Sequence, residues 1–499
     1  MLGEISAENA MSQTRALASR PRYPNSMGFF GAAEYVSAQA RAYGLENVRI
    51  ERFERRQPMW DPVDGALDLV EPEARRLVST RDSPIAISQR SESGEVAGEV
   101  VYAGPGSRLS DYERVEVKGR IVLARERVPA AVWAEVRKRG AAGLILAPRM
   151  SFYGRQMPRD ALAWTQAPED AIAMTISPEQ ADELARLIAQ GKSVRVRMQV
   201  RSRRTEPGAI GQVMGEIPGS EAGKDIVVVA HLDHQHPGAN DNASGSGTIL
   251  EVLRALKSLI ESGKLDRPRR TIRFWWATEI SSVRDYFARY PEDASRILLA
   301  VNLDQAGGER DAENNFVVIY GPDWLPSWAD DLIHNLAEHA RERYAPAEKE
   351  PSPWVVAAGG GRQSLRVDYW NYAALSDHVS FEARGVGIPA ISFAVPSLRL
   401  AHSSADTPER LDPTWMKRSA LFTMASAWFA ASAGPRQARE MLEYSYRRAL
   451  ERLAREGDAM RRIGMEEQRL DSVKALDPAV GTDLHKKRLR AIAAAMAAK

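Results

Sequence analysis

The segment Ile226-Val-Val-Val-Ala-His-Leu-Asp-His-Gln-His-Pro-Gly-Ala-Asn-Asp-Asn-Ala-Ser-Gly245 decides the fold of this 499-residue chain. It opens with an apolar, mostly β-branched run, which predicts a buried strand of a parallel sheet. The strand would deliver His231 and Asp233 at its carboxyl end, where open α/β sheets place their ligands. Asp241 follows in a turn rich in Gly and Asn, and the pattern of residues 248–256 predicts a helix. The segment therefore predicts a ligand site at the edge of an α/β sheet.

Three later apolar segments have the same form, because each predicts a buried strand that leads to an acidic residue or a histidine. They are residues 271–277 before Glu279, residues 297–303 before Asp304, and residues 387–394 before His402. One buried Asp or His at a strand end is usually a cap or a satisfied core group. A series that mixes imidazole with carboxylate instead indicates zinc, and a carboxylate has two oxygens with which to bridge a metal pair. The pattern points to metal-assisted hydrolysis.

These motifs resemble the co-catalytic di-zinc aminopeptidases and glutamate carboxypeptidases. The matching residues are His231-Leu-Asp233, Gly238-Ala-Asn-Asp-Asn-Ala-Ser-Gly245, Glu279, Asn302-Leu-Asp304 and His402. The resemblance covers residues 205–435. It implies a zinc exopeptidase fold, in which helices sandwich a mixed, mostly parallel sheet. It also implies an exopeptidase, above all an aminopeptidase, in which a metal-bound hydroxide attacks the carbonyl of a peptide or aminoacyl substrate.

The resemblance implies two zinc ions per chain and a role for each ligand. The ions would be held by His231 and Asp304 in one site, by Glu279 and His402 in the other, and by Asp241 in both. Asp233 would orient His231, because a metal-bound imidazole needs an acceptor for its other nitrogen.

One position departs from the family pattern, which has two adjacent Glu residues, the first the general base and the second a zinc ligand. This chain reads Ala277-Thr-Glu279 instead. Counting onward to Tyr286 makes Glu279 the ligand and puts Thr278 at the position of the base. The other register makes Glu279 itself the base. Loss of a general base would lower the rate by on the order of 10²–10⁴, so weak or lost activity is one expectation.

Candidate substrate residues lie further along the chain. By the resemblance, Asp377 and His378 would line the substrate pocket, with a pair that caps a loop as the alternative. A basic pocket for a terminal carboxylate would use Arg362 or Arg384, and would make the protein a carboxypeptidase. The sequence does not decide which end of a peptide is bound.

Aromatic and histidine side chains near the site have two interpretations each. The irregular segment 322–375 is expected to contribute pocket residues, because long insertions near a site often carry function. The aromatic candidates are Trp354, Tyr369, Trp370 and Tyr372, with ordinary ring packing as the alternative. His234 and His236 are expected to be solvated loop residues, with pocket lining as the alternative.

The chain divides into four predicted parts. Residues 1–62 begin the peptidase domain and residues 203–435 resume it. Residues 63–202 contain short strands and resemble a protease-associated domain inserted in that fold, with an unrelated α/β insert as the alternative. Residues 436–499 have helical periodicity. This extension would pack on its own peptidase domain or form a homodimer through its helices.

Composition excludes several classes of function. The net charge of +2 gives no general attraction to nucleic acid, and the absence of cysteine excludes disulfides and thiol catalysis. No apolar run approaches the roughly 18 residues that a membrane span needs. The first residues lack the features of a signal peptide. Relatives of this type are often exported, so we expect a secreted or periplasmic protein if a leader was removed and a cytoplasmic one otherwise.

Two further functions fit the same residues. Thr278 at the expected base position favours a non-catalytic or weakly active relative that serves as a binding or assembly module, whereas the complete ligand set argues against it. A carboxypeptidase or amidase on the same fold would use the same ligands.

Overall fold

The computed structural model describes residues 1–344, 355–455 and 459–497. The candidate pocket residue Trp354 lies outside these ranges. The described chain forms one sheet of eight strands and another of seven, with helices around them. The mixed α/β class predicted from the sequence is therefore confirmed.

The helices cover the sheets and form the C-terminal end of the chain. They are α1 (Ala7–Ala18), α2 (Met27–Ala42), α3 (Ala130–Lys138), α4 (Pro178–Ala189), α5 (Gly245–Glu261), α6 (Ser281–Arg289), α7 (Trp328–Tyr344), α8 (His378–Phe381), α9 (Pro413–Ser432), α10 (Pro435–Arg455), α11 (Ala459–Ser472) and α12 (Asp483–Ala497). Within the described ranges, no helix combines the length and the apolar character needed to cross a membrane.

The strands form the two sheets. They are β1 (Glu46–Arg55), β2 (Met59–Glu71), β3 (Arg75–Ser79), β4 (Gly94–Tyr102), β5 (Ile121–Ala124), β6 (Gly143–Leu146), β7 (Ala173–Thr175), β8 (Arg195–Thr205), β9 (Gly208–Ile217), β10 (Asp225–His231), β11 (Ile272–Ala277), β12 (Ile297–Leu303), β13 (Phe316–Ile319), β14 (Val367–Trp370) and β15 (Ala390–Ala394).

The eight-stranded sheet has the order β1-β9-β11-β10-β12-β15-β13-β14, and its central strands β11, β10, β12 and β15 run parallel. The β-branched run of β10 suits this place because both of its faces are buried. Val228 belongs to the large core that includes α5 and α9, whereas Val229 belongs to a smaller core with α6. Since the central strands share one direction, the residues that follow them emerge at one edge of the sheet.

The seven-stranded sheet has the order β3-β2-β8-β4-β5-β6-β7. The long strands β2 and β8 pair antiparallel from Met59↔Thr205 to Glu71↔Arg195, so the chain enters and leaves this unit side by side. The predicted insert, residues 63–202, lies within it. Its assignment as a protease-associated domain stays a prediction.

The C-terminal helices pack on the helical layer of the same chain. The Arg452 guanidinium donates to Asp331 of α7 at 2.6 Å, and Arg469 donates to Asp330 at 2.5 Å. These ion pairs are largely buried. The extension thus contacts its own domain, and dimerisation through it stays a prediction.

Candidate metal centre

The five predicted ligands meet at the carboxyl edge of the central parallel strands. His231 ends β10 beside Ala277, the last residue of β11. Asp304 directly follows β12, whose last residue Leu303 pairs with Phe393 of β15. The strand register therefore places His231, Glu279 and Asp304 within reach of one another, and loops bring Asp241 and His402 to the same edge.

The first group of potential ligands contains His231, Glu279 and Asp304, whose ligating atoms lie within 4.8 Å of one another. The Nε2 atom of His231 lies 3.4 Å from Asp304 Oδ1 and 3.3 Å from Asp241 Oδ1. Burial lowers the pKa of His231, but Glu279 and Asp304 outweigh it and raise that pKa well above its ordinary value. The group carries an excess of negative charge, which a cation would neutralise.

The second group contains His234, Asp241 and His402. The Oδ2 atom of Asp241 lies 3.4 Å from His234 Nε2 and 3.1 Å from His402 Nε2. His234 is 3% exposed, so the expectation of a solvated loop histidine was wrong for this residue. The grouping also differs from the one implied by the family resemblance, because Glu279 lies with His231 and Asp304 rather than with His402.

Both groups fit a pair of zinc ions. Ligand atoms at 2.0–2.1 Å from a tetrahedral zinc are separated from each other by about 3.3 Å, close to the separations around Asp241. Among the described residues, His231 Nε2, His234 Nε2 and Asp304 Oδ1 are buried without a hydrogen-bond partner, which is costly unless another group contacts them. Imidazole and carboxylate together suit zinc. The sites are therefore complete in ligand chemistry.

The loop of Asp241 is fixed by two buried residues that the sequence motifs did not single out as site residues. Asp406 accepts hydrogen bonds from the N–H groups of Asn240 at 2.8 Å and Asp241 at 3.1 Å. Burial raises the pKa of Asp406 to about 7. Arg22 donates to the carbonyls of Leu232 and Gly238, both at 2.9 Å, and braces the loop between them.

Asp233 and Thr278 take structural positions beside the centre. His231 Nδ1 lies 3.0 Å from the backbone oxygen of Asp233, so the main chain of Asp233 makes the contact expected of its carboxylate. That carboxylate accepts from the N–H of Glu279 at 2.7 Å. The Thr278 hydroxyl is buried and donates to Gly211 O at 2.9 Å. Thr278 is therefore directed toward strand β9.

A cavity of about 270 Å³ opens directly on the centre. Its polar wall includes Asp241, Glu279 and Asp304, and its apolar wall includes Ile319 and Trp370. Burial raises the pKa of Glu279 well above its ordinary value. Within the described ranges, no Lys or Arg lines this cavity. The cavity therefore joins the acidic centre to an apolar wall.

The three predicted substrate-binding residues do not line this cavity. Asp377 is buried behind its wall and accepts from the N–H of Ile280 at 2.6 Å. His378 Nε2 contacts Ala373 O at 2.8 Å, and burial lowers the pKa of His378 to about 4. Arg362 is exposed on another loop. Asp377 and His378 thus hold neighbouring backbone groups in place behind the wall of the cavity.

Of the aromatic candidates in the described ranges, Trp370 lines the cavity, whereas Tyr369 and Tyr372 line a separate one. The Tyr369 ring stacks on His334 at 4.8 Å, and the Tyr372 ring lies edge-on to Trp324 at 5.2 Å. Ordinary ring packing therefore describes these two tyrosines.

A loop of the seven-stranded unit completes the cavity. The Phe152 ring stacks on His402 with 4.4 Å between centroids, and the backbone N–H of Trp164 donates to the backbone oxygen of His402 at 2.7 Å. The Tyr153 hydroxyl accepts from Gln305 Nε2 at 2.6 Å and lines the cavity. Strand periodicity carried no signal for these contacts, because they depend on how two separately patterned units dock.

The sequence model of Peptidase family M28 matches residues 212–427, the segment that holds all the ligand candidates. Residues 212–427 are therefore similar to the peptidases of this family. A probable leucine aminopeptidase of Arthroderma benhamiae is 28% identical over 239 residues, which cover 44% of this chain and 57% of that protein. The chain thus spans little more than half the length of this curated relative.

Solved structures share the fold of the chain around this matched segment. The zinc aminopeptidase of Bacillus subtilis has a TM-score of 0.58 at 18% identity, covering 86% of this chain and 96% of that one. The M28 peptidase precursor of Shewanella amazonensis has a TM-score of 0.60 at 17% identity, covering 85% and 93% of the two chains. At these identities the likeness shows the fold, and the chemistry must be argued from the site.

Proposed function

We propose that this protein is a zinc-dependent aminopeptidase with two zinc ions per chain. The observation that carries the proposal is the position of Asp241, whose Oδ1 lies 3.3 Å from His231 Nε2 and whose Oδ2 lies 3.1 Å from His402 Nε2. One carboxylate facing two separate groups of ligands is the arrangement that a bridged metal pair requires. The family match and the zinc aminopeptidase neighbours support the choice of zinc.

The chemistry follows from the groups that face the cavity. Two bound zinc ions would polarise a peptide carbonyl and lower the pKa of water, which makes hydroxide available near neutral pH. Glu279 lies in the wall beside Asp304 and is the one carboxylate of the turn after β11. In this position its carboxylate would accept a proton from water and pass it to the leaving amine.

The walls of the cavity favour the amino end of a peptide. A free α-amine is cationic at neutral pH and would be attracted by the Glu279 carboxylate, because Asp241 and Asp304 are engaged by the ions. A terminal carboxylate would need a cation besides the zinc ions, and among the described lining residues there is no Lys or Arg. Ile319 and Trp370 offer apolar contacts to the first side chain. We therefore propose an unblocked substrate with an apolar first residue.

A panel of aminoacyl anilides and N-blocked dipeptides tests the proposal, with zinc added in one series and a chelator in another. Zinc-dependent cleavage of unblocked apolar aminoacyl substrates is expected. Cleavage confined to N-blocked dipeptides would instead support a carboxypeptidase or amidase. Full metal content without turnover of any substrate would support the second candidate, a binding module, which the loss of one Glu of the family pair favours.

A further inference from the structure

His234 is buried beside the second group of ligands with its ring nitrogens unused. Its ring lies 5.0 Å from Trp164 and 4.9 Å from His402 between centroids. Within the described residues, neither ring nitrogen has a hydrogen-bond partner, although Nε2 lies 3.4 Å from Asp241 Oδ2. Burial of an unsatisfied imidazole costs free energy, so a further group should contact Nε2.

We propose that His234 is a zinc ligand, a role that the family motif does not give to this residue. The assignment rests on the proposed pair of zinc ions. His234, His402 and Asp241 Oδ2 then supply three ligand atoms to one ion. His231, Asp304 and Asp241 Oδ1 supply three to the other. Three protein ligands and an open position are characteristic of catalytic zinc sites.

The turn after β11 supports the same assignment. If Glu279 corresponds to the first Glu of the family pair, Ile280 stands where the second would lie. Ile280 cannot bind a metal, and its N–H is held by Asp377 Oδ1 at 2.6 Å. His234 replaces the ligand that this register lacks. Glu279 is then not needed as a ligand and is available for proton transfer.

The assignment separates the roles of His234 and Glu279 by metal content, which is measured without turnover. In the full chain, His234→Gln should bind one zinc ion tightly, with affinity for the other lowered by at least about 100-fold, since even loss of an outer partner costs 10–100-fold. His234→Glu puts a carboxylate ligand in place of the imidazole and should bind two ions. Glu279→Gln should bind two ions, and its turnover rate should fall by a factor of about 10²–10⁴. His236→Gln is the matched control, since His236 lies in the same loop outside both groups and should keep two ions.

Elemental analysis at buffered free zinc gives the decisive count, and circular dichroism checks folding. Two tight ions in His234→Gln together with one in Glu279→Gln would overturn the proposal and make Glu279 the ligand. If His234→Gln does not fold, Glu279→Gln decides, because one tight ion there would make Glu279 the ligand and overturn the proposal, whereas two tight ions would support it. Wild-type protein with two ions and no activity would refute the proposed aminopeptidase activity, but not the ligand role of His234.

Discussion

Replacement of Phe152 by Ala tests whether the seven-stranded unit holds a metal ligand in place. The Phe152 ring stacks on His402 at 4.4 Å and 16°, although Phe152 itself is 53% exposed. An aromatic pair of this kind contributes about 0.5–1.5 kcal/mol beyond its buried area. If the stack keeps the His402 ring in its binding orientation, its loss should weaken one zinc ion by roughly two- to tenfold, since 1.4 kcal/mol is a factor of ten.

Competition with a coloured chelator measures this change as a shift in the affinity of one zinc equivalent, with the other unchanged. Met150→Ala is the control, because Met150 is 52% exposed in the same loop and does not line the cavity. Equal zinc affinities in Phe152→Ala and wild type would refute the reasoning. Trp164 and the backbone would then be sufficient to hold His402.

Three further substitutions have defined outcomes. Asp241→Asn should release both zinc ions together, as measured by elemental analysis, because one side chain faces both groups; loss of a single ion would contradict the bridge. The Tyr153 hydroxyl accepts from Gln305, which leaves its own proton to be donated to the developing oxyanion. Tyr153→Phe should therefore lower the kcat of an active preparation by about 10²-fold with zinc content unchanged. An unchanged kcat would exclude that contact. Burial raises the pKa of Glu382 from 4.5 to about 9, so its folded form holds a proton that the unfolded form releases. Stability from this group is present below pH 4.5 and is lost as pH rises toward about 9. Glu382→Gln should therefore reduce the loss of thermal stability between about pH 5 and pH 9. Identical profiles of unfolding temperature against pH in the variant and wild type would contradict the raised pKa.

The central strands and the ligands that follow them could be predicted because each leaves a strong local pattern. The runs that became β10, β11 and β12 are mostly apolar on both faces, which is typical of parallel strands covered by helices. A ligand directly after such a strand must lie at the shared edge. The strand pattern therefore predicted one shared edge for His231 and Asp304, and the family resemblance assigned them to one metal site.

The place of His234 could not be predicted, because its burial depends on residues far away in sequence. Trp164 and His402 enclose its ring, and Arg22 fixes the carbonyls of its loop. A histidine in a polar Gly/Pro loop is usually solvated, and nothing local distinguishes this one. The roles of Asp377 and His378 were equally hidden, since a wall residue and a lining residue have the same local pattern.

Contacts between distant segments also affect how the centre forms during folding. Arg22 near the start of the chain and Asp406 near its end both brace the loop of Asp241, while Phe152 reaches His402 from another unit. Such non-local contacts form slowly, because long loops must close first. Tight zinc binding should therefore appear only after both units have docked. A ligand that binds only the native state stabilises that state by mass action. The unfolding temperature should therefore rise with the concentration of free zinc, and the zinc that a sample retains should report the fraction of completely folded protein.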